Sequence, residues 1–234
     1  MEKKQRIWEL DALRGLCILF MAGIHLVLDL KGFDYTGSWL FDFLRNWGSV
    51  LFLLISGICV TLGSRSLMRG AVVFAAGLLC SAVTAGMYFL NFAEKTIIIW
   101  FGILHCLGLC MLLWPLFRRM PVWALGLIAL GLLGLGYWFR GFYVETPWLF
   151  PLGLVTDHFS SSDYFPLLPN LGWFLLGAVL GRTAYREKAS LLPRVNAQAA
   201  PIRALCWCGR QSLWIYLLHQ PVLMGLSLLI QLLQ

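Results

Sequence analysis

Charge is scarce in this chain. Asp, Glu, Lys and Arg make up 12% of its 234 residues, and hydrophobic residues make up 60%. A soluble domain carries about twice that charge, so a soluble globular fold is excluded. Cysteine frameworks are absent too. The seven cysteines, Cys17, Cys59, Cys80, Cys106, Cys110, Cys206 and Cys208, are odd in number and fall mostly inside apolar runs. That argues against disulfides and for buried thiols acting as small hydrophobes. Cys206-x-Cys208 is too short and too isolated for zinc. No basic soluble domain is present, so the net charge of +7 does not point to nucleic acid. No internal repeat is visible. No small-residue cleavage site follows the charged start MEKKQRIWELDALRG, so a retained first span is expected rather than a signal peptide.

What the chain has instead is apolar runs near the length that crosses a bilayer as helix. Seven lie near 10–31, 48–64, 70–90, 97–117, 121–139, 166–181 and 211–232. The expected fold is an all-α polytopic membrane bundle of about seven transmembrane helices, one domain over 1–234. The second and sixth spans are short and hold glycine, which suggests tilt or a break. With the N-terminus cytoplasmic, 14 cations face inward and 4 outward, the outer ones being Lys31, Arg45, Lys95 and Arg140. The positive-inside rule then places the C-terminus outside, in an inner (plasma) membrane. Residues 182–210 read as a flexible inner loop. The outer stretch RGFYVETPWLFPLGLVTDHFSSSDYF holds Trp148, Phe150, Phe159 and Tyr164, and is expected to fold back over the outer mouth.

The first span, LDALRGLCILFMAGIHLVLDL, carries Asp11, Arg14, His25 and Asp29. At about 100° per residue these four fall within roughly one 60° arc. A single polar stripe in an apolar helix should face protein, not lipid. Interfacial anchoring accounts for Asp11, but not for His25 or Asp29. A neutral histidine bonded to a carbonyl is the plain alternative for His25. His105 and His219 lie on other spans, also toward mid-bilayer, which suggests a shared polar cavity. Ser212, Tyr216 and His219 share a helical face. The three histidines show no paired spacing, so no metal is expected. Ser56-Gly57 and the glycines at 126, 131, 134, 136, 172, 177 and 181 read as close helix contacts. Trp8, Trp39, Trp47, Trp100, Trp138, Trp148 and Trp207 read as interface belt residues.

Arg14 and His25, with ten residues between them, resemble the R-x10-H feature of membrane acyltransferases, the acyltransferase-3 proteins among them. LDALRGLCILFM, WGSVLFLLISGICVTLG, IIIWFGILHCLGL, SSDYFPLLPNLGWFLLGAVLGR and GRQSLWIYLLHQPVL occur in that order. Together they are similar to bacterial proteins related to the heparan-α-glucosaminide N-acetyltransferase catalytic domain. The resemblance implies acyl transfer across a membrane, from cytosolic acetyl-CoA or another acyl-CoA to a glycan or small-molecule acceptor, typically a sugar hydroxyl or amine. CoA phosphates would then meet Arg14, Arg65, Arg69, Arg118, Arg119 and Arg210. His25 would be the base or carry the acyl group itself, with Asp29 orienting it and His105 as oxyanion stabiliser or second acid/base. Asp157, His158, Asp163 and His219 would meet the acceptor. KGFDYTGSWLFDFLRN lacks the histidine that eukaryotic lysosomal relatives carry there, which favours direct transfer with His25 as base. A proton-coupled transporter or a non-catalytic membrane subunit remains the alternative. Homo-oligomerisation is left open.

Overall fold

The computed structural model of the chain describes residues 6–32 and 35–232, with the side chains at 227, 228, 231 and 232 outside that description. Lys3 and Lys4, two of the inner cations, lie outside the described residues. Among the described residues eight α-helices follow one another: α1 Trp8–Lys31, α2 Trp39–Leu62, α3 Ser66–Phe89, α4 Ile103–Phe117, α5 Val122–Phe139, α6 Leu167–Thr183, α7 Ala200–Arg210 and α8 Ser212–Leu232, with 3-10 turns at Lys95–Ile97 and Pro147–Leu152. Among the described residues, pairing outside helices is limited to two isolated bridges, Phe101 with Tyr164 and Tyr143 with Val155.

Local chemistry sets the helix ends. α1 stops at Gly32, whose φ of 91° suits glycine, and whose N–H bonds the Leu28 carbonyl. Pro121 and Pro166 stand immediately before α5 and α6. Pro169 pushes Leu168 out of helical geometry, to φ −105° and ψ 128°. Pro115 and Pro221 sit inside α4 and α8, where each removes one backbone donor.

α1, α2, α3 and α5 are long and apolar enough to cross a membrane, and α4 is a shorter apolar helix of 15 residues. Their outward faces carry exposed Leu13, Leu16, Leu78, Leu79, Val83, Leu127 and Leu130. Such a surface is a liability in water and ordinary against lipid. Of the seven tryptophans read as belt residues, Trp39, Trp47, Trp100, Trp138, Trp148 and Trp207 are exposed.

The chain divides into two compact units, Met1–Ile55 with Glu187–Gln234, and Ser56–Arg186. In the first unit α1 packs on α7 and α8. The expected flexible loop at 182–210 is corrected here: its last 11 residues are helix α7. Pro201 opens that helix, and Cys206 and Gly209 bury against α1. The Cys206 thiol donates to the Trp8 carbonyl at 3.4 Å, and burial pushes its pKa up. The preceding turns are held by Glu9, which is only 4% exposed. Its carboxylate accepts from Ser190 Oγ at 2.9 Å and from the Leu191 N–H at 2.7 Å. The second helix starts nine residues earlier than expected. Asp42 and Arg45 pair at 3.6 Å, and Arg45 also donates to the Tyr35 carbonyl, so these polar residues are carried within the helix.

In the second unit α3 pairs with α4 and α5 with α6. Glycine permits both. A side chain on Gly108 would meet the Phe74 backbone, and one on Gly70 the Gly108 carbonyl. One on Gly136 would meet Pro169, and one on Gly172 the Ala129 carbonyl. Gly57 and Gly181 make the same kind of approach between the end of α2 and α6. Gly126, Gly131 and Gly134 do not: a Cβ there meets open space, which corrects their reading as contacts.

Candidate functional site

Two imidazoles meet in the first unit. His25 on α1 and His219 on α8 have ring centroids 5.1 Å apart, edge to face at 76°. One turn beyond His25, Asp29 Oδ2 accepts from Gln220 Nε2 at 3.3 Å. His219 Nδ1 bonds the Tyr216 carbonyl, and the two rings lie 5.3 Å apart. Because a carbonyl only accepts, that Nδ1 carries the proton and Nε2 holds the lone pair. Pro221 lacks the N–H that would engage the Leu217 carbonyl, so the α8 backbone is also locally more polar here. The His25–Asp29 end of the α1 stripe thus meets the Tyr216–His219–Gln220 face of α8. At the start of α1, Asp11 pairs with Arg6 at 3.8 Å. Gln220 escaped the sequence reading. Its signal was a polar amide inside an apolar run, next to a helix-breaking proline.

His105 belongs to the second unit, at the start of α4, and is 2% exposed. Its Nδ1 accepts from the Gly102 N–H at 3.2 Å. Ser81 Oγ gives its proton to the Ile99 carbonyl at 2.6 Å. Ser81 therefore acts as acceptor toward His105 Nε2, 3.3 Å away. Both ring nitrogens are engaged, and the ring stacks on Phe101 and meets the edge of Phe74. The backbone of α3 comes close at Gly77, whose missing side chain would meet the imidazole.

The outer stretch folds back as a set of local bonds. Asp163 Oδ2 accepts from the Ile103 N–H at 3.0 Å and so caps α4. Ser162 Oγ donates to the Ile97 carbonyl, and the Phe165 N–H to the Phe101 carbonyl. Phe150 stacks on Phe159, and Tyr164 packs on Phe159. Burial pushes the Tyr164 phenol up to about 12, and its hydroxyl donates to the Phe150 carbonyl at 2.6 Å. Trp148 departs from the expected packing and stays 81% exposed. Asp157 and His158 form an exposed pair, 3.5 Å apart.

The arginines divide between the units. Arg14 and Arg210 lie in the first, and Arg65, Arg69, Arg118 and Arg119 in the second. A cavity of about 330 Å³ in the second unit is lined by Thr61, Gly63, Ser64, Ser66, Trp114, Arg118 and Arg182. The Arg69 guanidinium lies beside Gly63. Arg182, which the sequence marked only as an inner cation, donates to the carbonyls of Met120 and Arg118 and stacks over Trp114. It thereby satisfies the end of α4. Among the described residues, no group of three His, Cys, Asp or Glu gathers as a metal site.

The family model described as heparan-alpha-glucosaminide N-acetyltransferase, catalytic, matches residues 6–221. No curated protein and no solved structure matches the chain.

Proposed function

The chain belongs to the heparan-alpha-glucosaminide N-acetyltransferase catalytic family, and from that premise we propose a reaction for it. It moves an acyl group, acetyl by the family's name, from cytosolic acyl-CoA to a sugar hydroxyl or amine at the outer side of an inner membrane. Family and apolar helices together make it a membrane acetyltransferase. Donor, acceptor and direction belong to the proposal, as do seven spans with a cytoplasmic N-terminus.

The observation that carries it is the paired imidazoles of His25 and His219, with Asp29 beside them. A titratable side chain inside an apolar span costs free energy, and a cluster of them points to proton chemistry. His25 takes the acceptor's proton as the acceptor attacks the thioester carbonyl. The C–S bond breaks and CoA leaves with the electron pair. The thiolate takes the proton back from the imidazolium, giving acylated acceptor and free CoA thiol. Asp29, one helical turn on, orients the imidazole. The anionic phosphates of CoA call for guanidinium groups, for which Arg14, Arg65, Arg69, Arg118, Arg119 and Arg210 are the candidates. Asp157 and His158, exposed in the outer stretch, are available to an acceptor. Asp163 already has a capping role.

The test is release of CoA thiol from acetyl-CoA by the purified chain, with glucosamine as the probe acceptor. Turnover that His25→Ala abolishes supports the reading. A folded wild-type protein that releases no thiol overturns it and leaves the proton-coupled transporter as the better account of the cluster.

A further inference from the structure

We infer that His219 is a positioning residue that acts through His25 as the second site of a two-imidazole proton relay. This rests on the acyl-transfer reading above. Two features of the structure carry it. The bond from Nδ1 to the Tyr216 carbonyl fixes which nitrogen of His219 holds the proton. The unprotonated Nε2 then holds the lone pair of a ring whose centroid is 5.1 Å from that of His25. A histidine kept only to satisfy a helix carbonyl has no need of a second imidazole at its edge.

The relay balances. The acceptor's proton passes to His25 as the new acyl bond forms. His25 in turn gives up the proton on its other nitrogen to the Nε2 lone pair of His219, so the positive charge is spread over two rings. When the C–S bond breaks, the proton returns by the same route to the thiolate, and both imidazoles end neutral. His219 keeps its Nδ1 proton throughout, because the Tyr216 carbonyl holds it.

Two substitutions separate this from a structural role. His219→Asn places an amide N–H near the Nδ1 position, so it can keep the bond to the Tyr216 carbonyl while removing the Nε2 acceptor. His219→Gln does the reverse, offering an amide oxygen near the Nε2 position. Thiol release from acetyl-CoA with glucosamine, and thermal stability, are measured on the same full-length samples. The relay requires His219→Asn to keep its stability and lose about 10²-fold in kcat, with KM for acetyl-CoA changed by less than about threefold. His219→Gln, whose amide oxygen accepts a hydrogen bond but not a proton, should lose at least as much. Adding His25→Ala to His219→Asn should cost nothing more than His25→Ala alone, because the two act as a unit. Normal turnover in His219→Asn would overturn the relay while leaving the reaction in place. So would wild-type turnover in His219→Gln, whose amide cannot carry the proton. Failure of His219→Asn to fold would also overturn it, since that variant keeps the only structural bond assigned to the residue. Absence of thiol release from the wild type would instead overturn the acyl-transfer reading beneath it.

Discussion

Gly15 of α1 and Gly209 of α7 pack backbone to backbone. A Cβ on Gly15 would lie 3.0 Å from the Gly209 nitrogen, and one on Gly209 would lie 2.9 Å from the Gly15 nitrogen. Neither approach involves a flexible side chain that could move aside. Gly15→Ala and Gly209→Ala should therefore each cost about 1–3 kcal/mol, as overpacking of a tight contact does. Gly126→Ala is the control. Its Cβ meets open space in α5, so it should be neutral or stabilise by up to about 1 kcal/mol. Thermal unfolding of the three variants checks the contrast.

Glu9 holds the turns before α7 through the Ser190 hydroxyl and the Leu191 N–H. Glu9→Ala leaves both donors without that acceptor, at about 1–3 kcal/mol. Local opening should then outpace global unfolding. Limited trypsin digestion should cut faster at Lys188 and Arg194 in the variant. An unchanged digestion rate would mean that Glu9 does not tether this segment.

His105→Ala should lose stability, while the protein that folds keeps its turnover. Its two nitrogens are taken by Gly102 and Ser81, so the ring has no lone pair or proton to offer a substrate. The sequence reading gave it a catalytic part from its depth together with the family resemblance. Thermal stability and thiol release on the same sample decide the matter. Intact stability with abolished turnover would restore the catalytic part.

Acetyl-CoA should raise the thermal stability of the purified chain at millimolar concentration, because a ligand that binds only the folded state stabilises it by mass action. Arg69→Ala should reduce that shift and its dependence on salt, since an exposed guanidinium meets phosphate through a screened interaction. No shift in the wild type would remove acetyl-CoA as donor.

The long apolar runs made the helices readable, because span length and hydropathy are set by the run itself. What escaped was carried by mixed segments and by contacts between distant parts of the chain. Asp42, Arg45 and Asn46 interrupt the apolar pattern of α2, so its first turns read as loop until the Asp42–Arg45 pair is seen. α7 is only eleven residues long, carries Arg203 and Arg210 and follows a polar stretch, so it reads as loop, although Pro201, Ile202, Leu205 and Gly209 mark a helix start and a narrow packed face. The stripe of His25 and Asp29 on α1 was legible from helical spacing alone. A polar cavity shared with His219 was expected from mid-bilayer depth, and the two rings do meet across the α1–α8 contact. Gln220, nearly two hundred residues from Asp29, was not read. His105 shows the reverse limit, since the hydrogen bonds that occupy it come from Ser81 and Gly102 and leave no trace in spacing.

The most direct measurement of the central claim compares wild type with His25→Ala. Thiol release from acetyl-CoA with glucosamine, acetyl-CoA binding by thermal shift, and unfolding temperature are read on the same preparations. Removal of a general base should lower turnover by about 10²–10⁴-fold while the variant stays folded and still binds acetyl-CoA. A His25→Ala protein that folds and turns over at the wild-type rate would contradict the account, and His25 would then be only a satisfied histidine in the α1–α8 contact.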